Sequence, residues 1–319
     1  MFESIITTRF AECWPSFYFV HEWEDVFQRL LKLPFLKFDH DIMQHRSGNI
    51  AGNDIAILPM ARQMSYYTPH NKLIPIVVDC WKDDIPFFVQ QYADVPVSFV
   101  ASLEAYSDIL AAGFNRQLFY LPMSVSDSIR QASVPDKHID VIQYGRTNGV
   151  LNEYMLKFCN RFPRTNYVTM EIVDGRIHYN STTLGHLGEI HDRERFIKLL
   201  AASRVSLVSS PGIDGSKATG GYNPVAVRFF ESAAQFCYML GRYPDNQDFR
   251  VCDVASVCPS INSYDEFEER LMGMLSKPFN QYEQFNHFLD KHVTSQRVMS
   301  VLARLGIDGL SCQEWVLDK

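Results

Sequence analysis

Several signatures are missing from this 319-residue chain, and each absence removes a class of function. Its seven cysteines (13, 80, 159, 237, 252, 258 and 312) contain no Cys-x2-Cys pair. Neither a zinc framework nor the disulfide scaffold of a small secreted domain is written into that spacing. Scattered thiols of this kind fit buried free cysteines in a reducing compartment. There is no dense Lys/Arg run and the formal net charge is −7, which argues against a nucleic-acid surface. No stretch approaches the ~18 apolar residues of a membrane span. The opening segment Met1 to Ile6 also lacks the basic start and long apolar run of a secretory leader, so a cytoplasmic protein is expected. His21, His70 and His186 stand apart, with no pair at ligand spacing, so no bound metal is expected either.

What is present is ordinary globular material: 46% hydrophobic and 21% charged residues, in a length that suits two domains. Aromatic residues reach 13% but stand inside strand and helix patterns, not between basic residues, so stacking on single strands is disfavoured. In the first half, Trp23, Val26, Phe27, Leu30 and Leu31 follow helical spacing. Short apolar runs at 54–58, 74–78, 97–101 and 118–121 read as strands, and 103–112 as a helix stopped by Gly113. The polar segment Ser124 to His138, with Pro135, is the expected linker between domains at 1–131 and 138–319. The second half reads as strands at 139–144, 167–172, 205–209, 236–240 and 251–257. Helices are expected after Gly145 through Phe158, and at 192–202, 224–235, 264–275 and 282–305. Strands alternating with helices predict two doubly wound α/β domains on parallel sheets.

The run from Ser209 to Glu231 carries the strongest chemical signal. Asn223 before Pro224 is an N-cap and N1 pair, so a helix is expected to start there. The Gly220-Gly221 pair gives the backbone room to approach a ligand. A helix start beyond a strand collects free N–H groups and the positive end of the dipole, which suits phosphate. Glu231 follows Pro224 by seven residues, roughly 10 Å along a helix, and a carboxylate there can accept both hydroxyl protons of a ribose diol. Spacing alone leaves a solvated helix residue and a plain connector equally open. Tyr144-Gly145-Arg146 places a cation after the first strand of this half, where forked hydrogen bonding suits phosphate, although an ordinary surface arginine meets the same pattern. Asp79, ending Val77-Val78-Asp79, is a candidate general base, against a turn or cap role that Asp also favours.

Gly145-Arg146 after a strand, Phe229-Phe230-Glu231 through Gly241, and the helix and strand from Arg195 to Ser210 together resemble the donor half of GT-B-fold glycosyltransferases. The resemblance spans roughly 139–310 and is looser before that. It implies two Rossmann-like domains facing a central cleft, with an N-terminal acceptor side. It also implies a nucleoside-diphosphate-sugar donor and no cofactor or metal. Glu231 would bind the ribose and Gly145 and Arg146 the diphosphate, assisted by Tyr222, Asn223, Pro224 and Val225. The acceptor would be a carbohydrate or lipid-linked hydroxyl in polysaccharide or glycolipid synthesis, with peripheral association at the cytoplasmic membrane face. Two positions depart from the family pattern. Asn223 stands where many retaining members have a second acid, and Asn148-Gly149 where a lysine is usual, a charge that Lys217 is expected to supply. Rival readings are a nucleotide-sugar epimerase, a pyruvyl transferase, or a non-catalytic nucleotide-sugar-binding partner.

Overall fold

The computed structural model describes residues 2–7, 9, 18–37, 52–64, 72–215 and 217–306; His70, Cys13 and Cys312 lie outside them. The chain forms two compact units. One comprises Met1–Asp127, Ser216–Val225 and Val293–Lys319, the other Ser128–Gly215 and Ala226–His292. The first division falls inside the expected linker, but residues 216–225 and those from 293 on group with the first unit. The linker's opening residues Ser124, Val125 and Ser126 are buried rather than solvated.

Unit 1 is built on β1 (Phe2–Thr7), β2 (Phe35–Lys37), β3 (Asn53–Met60), β4 (Leu73–Asp79), β5 (Val97–Val100) and β6 (Gln117–Tyr120). All its pairings are parallel, in the order β2-β1-β3-β4-β5-β6. β3 and β4 are buried along most of their length instead of alternating, as parallel strands covered on both faces must be. α1 (Tyr18–Leu31) buries Phe19, Val20, Trp23, Val26 and Phe27 at three- and four-residue spacing. α2 (Ile85–Gln91) carries Pro86 in its first turn. α3 (Leu103–Ala111) is capped by the Ser102 hydroxyl, which accepts from the Ala105 amide at 3.3 Å, and ends before Gly113. α10 (Thr294–Arg304) completes the unit.

Unit 2 carries β7 (Ile139–Gln143), β8 (Tyr167–Val173), β9 (Arg176–Ser181), β10 (Gly185–Glu189), β11 (Ser203–Ser209) and β12 (Tyr238–Arg242), in the order β10-β9-β8-β7-β11-β12. β8, β7, β11 and β12 are parallel, while β9 and β10 add an antiparallel extension. Its helices are α4 (Gly149–Arg161), α5 (Arg193–Ala201), α6 (Val227–Ala234), α7 (Gln247–Val251), α8 (Tyr264–Leu275) and α9 (Tyr282–His292). From β7 the chain moves outward to β8, then returns to the other side of β7 as β11. The switch point of this sheet, where open α/β sheets place ligands, is therefore the crevice beyond β7 and β11.

Three expected elements differ. Residues 251–257 are the end of α7 and a 3-10 turn, Val254–Ser256, not a strand: Val251, Val254 and Val257 are three apart, and Asp253 is left-handed at φ 52°. The single helix over 282–305 is two helices, because Val293 between them is extended (φ −80°, ψ 153°). The helix expected from Pro224 begins at Val227. Among the described residues no helix is long and apolar enough to cross a membrane.

Candidate functional site

Arg228, in the first turn of α6, joins the ends of the two strands that flank the switch point of unit 2. Its Nη1 donates to the carbonyls of Tyr144 (3.1 Å) and Arg146 (2.8 Å), beyond β7, and its Nη2 to the carbonyl of Ser209 (3.2 Å), which ends β11. Gly145 has a φ of 68°, and a Cβ there would stand 3.2 Å from Arg228 Nη1 and 3.3 Å from its Cδ. The missing side chain thus makes room for an arginine of the same unit. Burial lowers the Arg228 pKa from its ordinary value, yet no carboxylate pairs with it; its donors meet carbonyls. Arg146 is exposed beside it and donates to the Pro211 carbonyl at 3.4 Å.

Glu231 lies one turn further along α6 and is buried. Its Oε1 pairs with Arg193 Nη1 at 2.6 Å, and its Oε2 faces the Tyr144 hydroxyl at 3.4 Å. That hydroxyl has one proton to share among Glu231, the Arg228 carbonyl (3.1 Å) and Ser232 Oγ (3.2 Å). Burial first, then the Glu231 charge, pushes the Tyr144 phenol well above its usual range. At the same edge, Asp214 is held between the Arg242 guanidinium and Asn148 Nδ2 (2.8 Å), and Arg242 lowers its pKa. Asn148 also caps α4 by accepting from the Leu151 amide at 2.9 Å. Among the described residues, the guanidinium groups of Arg146, Arg193 and Arg228 share this edge with the carboxylate of Glu231. Asp214 and Arg242 neutralise each other.

The remaining sequence candidates belong to unit 1. Tyr222 sits in that unit's core and its hydroxyl donates to Asp108. The Asn223 amide, expected to receive an anion at a helix start, donates to the Glu104 carboxylate instead, and the Asn223 side chain turns to the Gly221 carbonyl at 2.8 Å. The N-cap residue of α6 is Ala226, three residues beyond Asn223. The Asn223–Val225 helix-start site is corrected accordingly. At Gly220 (φ 60°) a Cβ would meet Lys82 Cβ at 2.6 Å, whereas Gly221 (φ 93°) is exposed with open space where a Cβ would stand. Pro224 and Val225 are buried, Lys217 is exposed at the start of a 3-10 turn (Lys217–Thr219), and Asp79 ends β4. Gly145, Arg146 and Glu231 thus come together in unit 2, whereas Asp79, Lys217, Tyr222, Asn223, Pro224 and Val225 belong to unit 1.

Two residues of the cluster escaped the sequence reading. Arg228 precedes Glu231 by three residues, a same-face spacing that could have flagged it. Arg193 opens α5, and nothing local ties it to a residue 38 positions later. His186, read as isolated, has its ring 5.3 Å from that of His178. Among the described residues no group of three or more His, Cys, Asp or Glu could hold a metal ion.

No protein-family model and no curated protein matches the sequence. Solved structures do. AviGT4, a glycosyltransferase involved in avilamycin A biosynthesis, aligns with a TM-score of 0.59 at 12% identity, over 95% of this chain and 96% of that one. A structure described as a UDP-N-acetylglucosamine 2-epimerase from Listeria monocytogenes gives 0.55 at 10%, over 95% of each. An alpha,alpha-trehalose-phosphate synthase (UDP-forming) from Burkholderia vietnamiensis gives 0.55 at 12%, over 91% and 86%. Other matches, at a TM-score of 0.47, belong to chains of which this one spans 59%. At these identities the likeness is one of fold: two Rossmann-like α/β units on largely parallel six-stranded sheets, the GT-B type.

Proposed function

We propose that the chain is a glycosyltransferase that takes a sugar from a nucleoside-diphosphate donor, with the diphosphate received at the carboxyl edge of unit 2. The observation that carries this reading is the arginine cluster at the β7/β11 switch point, where Arg228 is fixed by three carbonyls and Arg146 stands exposed beside it. Preorganised cations at a sheet edge stabilise a leaving diphosphate without reorganising at the moment of reaction. The names of two structures with this fold carry UDP, which makes a uridine nucleotide the first ligand to try. The guanidinium groups supply the charge that the reading needs, so it asks for no metal or further cofactor. Asp79 remains the candidate base for an acceptor hydroxyl, carbohydrate or lipid-linked, in polysaccharide or glycolipid synthesis at the cytoplasmic membrane face.

A thermal-shift panel of nucleoside diphosphates and their sugars tests the proposal. Ligand at about 100 times its Kd adds about 2.7 kcal/mol to stability. At least one nucleoside diphosphate should raise the Tm, Arg146→Ala should weaken the response, and a chelator should leave it unchanged. A panel in which nothing shifts the wild type sinks the reading. A second reading, nucleotide-sugar epimerase, is favoured by the equal 95% coverage of the Listeria structure. Release of free nucleoside diphosphate from the donor separates the two, since transfer or donor hydrolysis gives it and sugar epimerisation on the nucleotide does not.

A further inference from the structure

The polarity of the Glu231 subsite is the reverse of what a ribose-binding carboxylate requires. Glu231 pairs with Arg193, and of the two side chains the arginine is the accessible one: 19% exposed against 4%. The second carboxylate oxygen faces Tyr144, itself buried. Arg193 extends from the first turn of α5 and lies over the ring of Phe196, 5.4 Å from its centroid, with the ring of Tyr144 5.0 Å beyond. The carboxylate thus has Arg193 at one oxygen and the Tyr144 hydroxyl at the other, and the guanidinium is the more accessible charge of the pair.

We infer that Arg193 is an anion-binding residue of the donor site, and that Glu231 is the positioning residue that aims it. Drawing Arg193 away to offer Glu231 to a diol would strand an ionised carboxylate among aromatic rings, which is costly in a low-dielectric site. Binding an anion at Arg193 need not break the pair, since a planar guanidinium with five donors can serve a carboxylate and a phosphate at once. Arg193 would then join Arg146 in receiving a diphosphate. This deepens the nucleotide-sugar reading and rests on it for the identity of the ligand, though not for its charge.

Calorimetric titration of the full chain with inorganic pyrophosphate, UDP and uridine tests the assignment on wild type, Arg193→Gln, Arg193→Lys and Glu231→Gln. Arg193→Gln should weaken pyrophosphate and UDP by tenfold or more and leave uridine unchanged, with Arg193→Lys recovering part of the loss. Glu231→Gln keeps an oxygen for the guanidinium while removing the opposing charge, and should hold or tighten pyrophosphate binding. It also serves if Arg193→Gln fails to fold. The inference is overturned if Arg193→Gln binds pyrophosphate within twofold of wild type. It is overturned equally if Glu231→Gln loses uridine and UDP in parallel, as a ribose ligand would, or if wild type binds neither anion. Pyrophosphate binding that depends on Arg193, with no binding of any nucleotide, upholds the inference and removes the nucleotide reading instead.

Discussion

Gly145 shows how a single missing side chain sets the geometry of the site. A left-handed conformation costs a non-glycine residue about 1–2 kcal/mol, and here the added methyl would also press on Arg228 Nη1. Gly145→Ala should therefore lower the urea midpoint by an amount equivalent to about 1–2 kcal/mol at unchanged m-value. Anion affinity should fall with it, because the displaced guanidinium no longer fixes both strand ends. In unit 1 the notable single residue is Glu24 on α1. Its Oε2 accepts from Thr7 Oγ1 (2.6 Å) and from Arg9 Nε and Nη2 (3.2 and 3.1 Å), while Oε1 is buried without a partner. Burial raises this carboxyl from 4.5 to about 7 against the opposing pull of Thr7 and Arg9. Between those values the folded chain keeps a proton that the unfolded chain has released, so stability is fully present below pH 4.5 and falls as pH rises to 7. The loss is on the order of 3 kcal/mol at most. Glu24→Gln should match wild type in urea near pH 4.5 and exceed it at pH 8; a variant less stable at both pH values would contradict this account.

At the scale of elements, the segment from Gly220 to Asn223 is the clearest case of long-range contacts overriding local signals. Tyr222→Phe removes one hydrogen bond, to Asp108, and should cost about 1 kcal/mol. Tyr222→Ala empties a place in the core of unit 1 and should cost about 3–5 kcal/mol, with amide exchange rising across 217–225 first. Unchanged exchange there would show that the tyrosine is not the anchor. None of this was legible in sequence, because Glu104 and Asn223 are 119 residues apart and an Asn-Pro pair is a good local helix start. Patterns with one dominant period were legible. The apolar runs of β3, β4, β7 and β11 and the spacing of α1 appear where composition placed them. β10 was not, since Gly185-His186-Leu187-Gly188-Glu189 is polar, contains two glycines and carries no strand signal. Residues 251–257 misled for the opposite reason, being rich in valine yet spaced by three. Of the candidate site, the strand end at Gly145-Arg146 and the helix bearing Glu231 were readable. The pairing of Glu231 with Arg193 depends on how α5 and α6 flank the sheet, which no local pattern records.

At the scale of the molecule, the chain passes between units four times, and its last described helix returns to the first. α10 buries Val298, Val301 and Leu302 and packs on α1. Arg297, fully buried, donates from Nε to the Pro122 carbonyl (2.7 Å) and from Nη2 to the Met123 carbonyl (2.9 Å). Thr294 adds its amide to the Val125 carbonyl (2.9 Å) and its hydroxyl to Ser124 (3.0 Å). Three aliphatic side chains at about 1.5–3 kcal/mol each amount to several kcal/mol, comparable with the whole stability of an ordinary domain at about 5–15 kcal/mol. The uncovered carbonyls at 122 and 123 add to the deficit. A chain ending at His292 should therefore leave unit 1 unfolded or molten while unit 2 keeps its own sheet and cores. Fluorescence separates the two outcomes, because all four tryptophans (14, 23, 81 and 315) belong to the segments of unit 1 and Trp23 is fully buried there. The shortened chain should emit at longer wavelength before any urea is added, yet retain a cooperative circular-dichroism transition from unit 2 with a reduced m-value. Native-like emission from Trp23 and Trp81 in that chain would mean that α10 is dispensable and that unit 1 is held by its parallel sheet and remaining helices alone.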